Sequence, residues 1–166
     1  MMKKLAVLAA MISLAGLAFA GAASTADAAS PPRPNVVLAG RGVLDAHGTG
    51  VAAVKGLIDY HASAAEGILL VKDINGDAHV DVDGVGETGE WRGFKVYFGF
   101  HGNANIQGTD VAIIVVGRDV DLHVFGRGWA YLKGDGQYSV NGGDRHPWTD
   151  EGAFAGIASP DPAPAP

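Results

Sequence analysis

The stretch "DINGDAHVDVDG" (Asp73–Gly84) decides how the chain is read. Asp73, Asn75, Asp77 and Asp81 occupy positions one, three, five and nine of a calcium-binding loop, with Val80 at the apolar eighth. Two positions fail: the sharp-turn glycine at six is Ala78, and the bidentate acid at twelve is Gly84. An EF-hand also needs flanking helices, whereas "ILLVK" and "HVDVD" have the pattern of strands. Asn-Gly between such runs is the strongest short signal for a hairpin closed by a type I′ turn. The stretch therefore reads as two strands joined at Asn75-Gly76.

The same period of two extends outward. "DAHVDVD" alternates polar Asp77, His79, Asp81 and Asp83 with Ala78, Val80 and Val82, and "DVDLHVF" places Val120, Leu122 and Val124 on one side. "GVLDAHG", "GLIDYHA", "GNANIQG", "GWAYLKG" and "GQYSVNG" can be read alike, each bounded by glycine. "GILLVKD" and "DVAIIVVG" are continuously apolar, as strands in the middle of a core are. Helical periodicity is missing after the N-terminal region, so an all-β domain is expected.

At the N-terminus, "MMKK" precedes the apolar run Leu5–Ala20, with small residues allowing cleavage after Ala20 or Ala28. This is the composition of a secretory signal peptide, assigned to residues 1–28, and it predicts a periplasmic or extracellular protein. The run is too short for a comfortable membrane span, so none is expected once the signal is removed. Residues 29–34 form a Pro-rich lead-in, 35–149 a single domain, and 150–166 a Pro/Ala-rich tail expected to be disordered. Cysteine is absent, which excludes a disulfide framework. The whole chain carries 12 basic and 18 acidic residues; losing Lys3, Lys4 and Asp27 leaves 10 and 17, a net charge of −7. Such a surface excludes nucleic acid and anionic membrane as expected partners and leaves an envelope polymer or protein.

An internal repeat sets "HGTGVAAVKGLIDYHAS" (His47–Ser63) against "FGRGWAYLKGDGQYSVN" (Phe125–Asn141) without gaps, at an offset of 78 residues. Gly48, Gly50, Ala52, Lys55, Gly56 and Tyr60 meet Gly126, Gly128, Ala130, Lys133, Gly134 and Tyr138. A weaker echo pairs "GDAHV" (Gly76–Val80) with "GNANI" (Gly102–Ile106). Recurrent Gly-x-Gly units suggest coils or stacked strands, each burying its face against its neighbours. The units in "DVDLHVFGRGWAYLKGDG" resemble the β-solenoid adhesin heads of exported bacterial proteins, and the wider pattern resembles small exported glycine-rich β proteins. The resemblance spans most of Gly40–Gly142 and departs around "GVGETGEWRGFKVYFGF". It implies a compact β-solenoid or β-roll of short glycine-bounded strands, and it carries no catalytic residue. An antiparallel β-sandwich is the alternative.

Histidine placement gives the candidate site. Five of the six histidines follow an aspartate by two residues: Asp45/His47, Asp59/His61, Asp77/His79, Asp121/His123 and Asp144/His146. Residues i and i+2 of a strand share a face, about 6–7 Å apart. The first four of these pairs are candidate ligands for a divalent metal such as zinc or copper, should they meet across neighbouring strands. The competing reading is a solvated polar face in which aspartate favours protonated histidine. "GVGETG" (Gly84–Gly89) matches the dinucleotide fingerprint, yet "EWRGFKVYFGF" after it is strand-like where that motif needs a helix, so no cofactor is expected. Phe94, Val96, Phe98 and Phe100 share one strand face and read as core. Trp91, Trp129, Tyr131 and Trp148, if exposed, would form a carbohydrate-stacking surface.

No Gly-x-Ser-x-Gly or Ser-x-x-Lys motif is present, and glutamates are few, among them Glu66, Glu87 and Glu90. The sequence thus points to a non-enzymatic envelope or cell-surface structural or interaction protein. A periplasmic metal-binding protein and a carbohydrate-binding module are the alternatives.

Overall fold

A computed structural model of the protein describes residues 40–159. The signal segment, the lead-in and the end of the tail lie outside the described residues. The described chain is all-β, without a helix, and its strands pair antiparallel. Eight strands follow one another: β1 (Gly42–Ser63), β2 (Glu66–Asp73), β3 (His79–Val82), β4 (Glu87–Trp91), β5 (Phe94–Phe100), β6 (Asn103–Val140), β7 (His146–Pro147) and β8 (Ala153–Ile157). The last strand falls where the sequence placed a tail. Its Ala155 and Ile157 are buried, and that burial holds it against residues 128–132 of β6.

Two of the strands are long rather than short, with 22 residues in β1 and 38 in β6. The glycines expected to end strands instead bend them. β1 pairs with β6 along both of its edges. Its ends, 42–48 and 58–63, flank residues 120–126, while its middle, 50–57, lies between 111–117 and 127–134. The chain thus passes between two halves of the sheet at Gly50, Gly56, Gly126 and Gly134, all of which have positive φ. At Gly50 and Gly56 an added Cβ would lie 2.1 and 2.2 Å from the carbonyl oxygens of Lys133 and Arg127. Only a residue without a side chain lets the two backbones pass that closely.

The internal repeat acquires a different meaning here. Its two copies do not stack as successive coils; they hydrogen-bond to one another, antiparallel. Gly50 pairs with Gly134 and Gly56 with Gly128, and the repeat offset carries Ala53 onto its own ladder partner, Tyr131. The repeat is therefore a local pseudo-twofold centred on Ala53 and Tyr131.

Alternation decides burial in both halves. Leu44, Ala46, Ile58, Tyr60, Val120, Leu122 and Val124 of one half and Ala52, Val54, Leu69, Val71, Ile113 and Val115 of the other share the main core, against which Val80 and Val82 pack. The continuously apolar runs pair with each other in the second half, Leu70 opposite Ile114. Their other side builds a second cluster of Ala53, Leu70, Val96, Ile114 and Tyr131, packed by Trp91, Phe94, Phe98 and Phe154. Phe100 leaves the face it was expected to share with Phe98. A register shift in the β2–β5 ladder, with Gly99 at φ 63, turns it into the main core.

The hairpin expected at Asn75-Gly76 does not form. β2 pairs with residues 111–118 of β6, whereas β3 pairs with residues 104–107 in the other half. Gly76 has φ 77, but Asn75 is not among the residues of positive φ, so the type I′ requirement is unmet. The turn is held by side chains instead. Asp73 accepts the Gly76 and Ala78 amides at 2.8 and 3.0 Å, and Asp77 accepts the Thr109 hydroxyl at 2.6 Å. The sequence's other Asn-Gly, Asn141-Gly142, has both φ values positive, and the Gly143 amide closes the turn onto the Val140 carbonyl at 3.0 Å. Arg92-Gly93, between β4 and β5, also has two positive φ values.

Candidate functional site

The outward side of the first half gathers the polar members of its alternating strands. Cross-strand partners form the row Ser139–Asp45–His123–His61–Asn105–Asp81. Beside it run Gln137–His47–Asp121–Ser63–Asn103 and Val43–Phe125–Asp59–Gln107–His79. Asp45, His47, Asp59, His61, His79, Asp121 and His123, which are separated in sequence, therefore share one face. Their convergence follows from the wound ladder, which sets β1 residues 42–47 and 58–63 on either side of 121–126.

The bonding crosses strands more often than it follows them. His47 Nδ1 donates to Asp121 at 2.8 Å, and His123 Nδ1 donates to Asp45 at 2.7 Å, so each aspartate of this quartet serves the other strand's histidine. These pairs are well exposed, and as surface ion pairs they contribute little to stability. His61 differs. Its Nδ1 lies 2.5 Å from the Asn105 amide oxygen and its Nε2 3.0 Å from Asp59 Oδ1. The His61 and His123 rings are neighbours, with centroids 6.4 Å apart.

The remaining candidates fall elsewhere. Asp77 lies in the turn after β2, where hydrogen bonds from the Thr109 side chain and then its backbone hold its carboxyl below the usual range. Asp73 and Asp77 thus spend their oxygens on protein donors, and Asp81 sits apart from them on the polar face. His146 stacks on Tyr138 with ring centroids 5.4 Å apart, and His101 donates to the Gly99 carbonyl at 2.7 Å. Among the described residues no three His, Asp or Glu side chains stand together as a ready-made metal site.

The aromatic residues proposed for sugar stacking form no exposed cluster on this face: Trp129 pairs with Lys55 and Gly156 in the other half, and the buried Trp148 reaches only the wall of a groove beside it. Trp91 and Tyr131 belong to the second apolar cluster, with the Arg92 guanidinium 4.8 Å over the Trp91 ring, and Trp148 is buried in the main core. Among the described residues, the one large aromatic exposed on the polar face is Phe125, beneath the Arg41 guanidinium at 5.7 Å. Beside the His–Asp quartet an open groove of about 760 Å³ is lined by Asp45, His47, Asp121, Asp135, Gln137, Ser139, Arg145 and Trp148. Asn103, Asn105 and Gln107 belong to this face although they match no binding motif. Their signal was the amide at every second position of "GNANIQG", which has the phase of a solvent face.

No protein-family model, curated protein or solved structure matches this chain.

Proposed function

We propose that this chain is an exported, non-enzymatic envelope or cell-surface protein that holds its partner against the polar face of the first half. The observation that carries this reading is the gathering of seven aspartates and histidines, distant in sequence, onto one exposed face beside an open groove. Hydroxyl, amide, carboxylate, imidazole and guanidinium groups meet there, which suits a polar envelope polymer or a protein surface. Among the described residues the imidazoles of His47, His61 and His123 are engaged by carboxylates and an amide, not by a serine or threonine hydroxyl. That arrangement favours binding over nucleophilic catalysis. The same residues support the metal-binding alternative, taken up below.

For the architecture, two halves sharing one core support a two-layer antiparallel sandwich over a solenoid. The antiparallel pairing of the two repeat copies points the same way.

A fractionation experiment tests the function. The tagged chain should leave the cytoplasm, lose its first 20 or 28 residues and co-sediment with purified cell-wall material. An Asp121→Asn, Gln137→Ala double variant should be exported and folded equally, yet fail to co-sediment. Cytoplasmic retention, or undiminished sedimentation of the variant, would overturn the proposal.

A further inference from the structure

His61 is held from both sides of its ring. The Asn105 amide oxygen, 2.5 Å from Nδ1, can only accept, so the proton sits on Nδ1 and Nε2 of the neutral ring is a bare lone pair. Asp59 Oδ1 lies 3.0 Å from that nitrogen, to one side of its lone-pair axis. Two acceptors at this separation repel unless something positive lies between them. A proton on Nε2 is the simplest candidate, but Asp59 Oδ1 is shielded from solvent and has no hydrogen-bond partner, so the approach lacks hydrogen-bond geometry. A buried carboxylate oxygen without a donor is the kind of group that signals a bound ion or water.

The residue opposite His61 in the ladder is His123. Its Nδ1 donates to Asp45 at 2.7 Å, which leaves its Nε2 lone pair free as well. An imidazole held at one nitrogen by an oxygen acceptor, with the other nitrogen bare, is the usual state of a metal-ligating histidine. His47 shares that state, but only His61 and His123 carry it at directly opposed positions of adjacent strands, with ring centroids 6.4 Å apart.

We propose that Asp59, His61 and His123 bind a divalent transition metal of the zinc or copper class through Asp59 Oδ1 and the two Nε2 atoms. Metal–nitrogen and metal–oxygen bonds of about 2.0–2.2 Å place two ligands of one ion roughly 3 Å apart. His61 Nε2 and Asp59 Oδ1 already have that spacing. The third ligand arrives by rotation of the exposed His123 ring, and water fills the fourth position. Two imidazoles with one carboxylate suit zinc, copper or nickel and disfavour calcium and magnesium, which take oxygen ligands. Asn105 becomes the positioning residue that orients the His61 ring. The site stands on its own atoms, whatever partner the surrounding face meets.

Calorimetric titration of the purified protein with zinc chloride, and separately copper(II) chloride, tests this. One ion per chain should bind with a micromolar or tighter Kd. Asp59→Asn, His61→Ala and His123→Ala should each weaken binding by at least about tenfold, whereas His47→Ala should leave it unchanged. Calcium chloride should give no heat. Copper paramagnetic resonance of the unaltered protein should show two nitrogen ligands, a readout independent of any variant's folding. Millimolar or absent zinc and copper binding would overturn the proposal. Equal weakening by His47→Ala would also do so, since it would mean diffuse attraction to an acidic face.

Discussion

Replacing Gly56 by alanine tests the bent-strand construction most directly. Gly56 lies at φ 153, a region that residues with a side chain enter at a cost of about 1–3 kcal/mol. The new Cβ would sit 2.2 Å from the Arg127 carbonyl oxygen and 2.7 Å from the Gly128 Cα, both backbone atoms that cannot rotate away. Restoring ordinary contact requires the ladder to open by roughly 1 Å, loosening one or two hydrogen bonds that contribute about 0.5–1.5 kcal/mol each. Together these give a loss of about 1.5–6 kcal/mol, a large part of the 5–15 kcal/mol typical of a domain. Gly76→Ala provides the control, because Gly76 also has positive φ but nothing lies within 4 Å of its added Cβ. That change should cost only about 1–2 kcal/mol of backbone strain. In urea unfolding, Gly56→Ala should lower the midpoint by roughly 1–3 M and Gly76→Ala by visibly less. Equal losses, or a Gly56→Ala midpoint indistinguishable from that of the parent, would refute the close crossing at this corner.

Asn141→Ala should destabilise by about 2–4 kcal/mol, because it removes bonds to the Val43 amide and the Ala158 carbonyl, both 2.8 Å, and places alanine at φ 54. A thermal melt matching the parent would show that this junction carries no such weight. Val124→Asp would bury an unpaired carboxylate in the main core and should abolish the folded circular-dichroism spectrum, whereas Asp81→Asn on the exposed face should be silent. Similar behaviour of the two would mean the strand phase is inverted. The Asp77 carboxyl is held below 3.8, so the Thr109 bonds stabilise the fold above that pH and cease to do so as pH falls through the lowered value. The stability gap between the parent and Thr109→Val should therefore be wider at pH 6 than at pH 2. A gap independent of pH would remove the carboxylate from the account.

Which side of each strand faces the core was legible in the sequence, because a strand's side chains alternate by local geometry whatever lies beside it. That rule placed Val120, Leu122 and Val124 inside and Asp121 and His123 outside, and it marked both continuously apolar runs as core. The Asp-x-His regularity likewise showed that aspartate and histidine would share a face. Pairing was another matter. Whether Asn75-Gly76 closes a hairpin depends on which neighbour offers β3 more, and the main core draws β3 to residues 104–107. Whether a glycine ends a strand or bends it depends on a second backbone passing within van der Waals reach, as at Gly50 and Gly56. The site follows the same division. His61 meets His123, and Asp45 serves His123 instead of its sequence neighbour His47, only because the long strands wind past each other. Alternation is a property of one strand, whereas register is a contest between distant segments for the same hydrogen bonds and the same apolar cover.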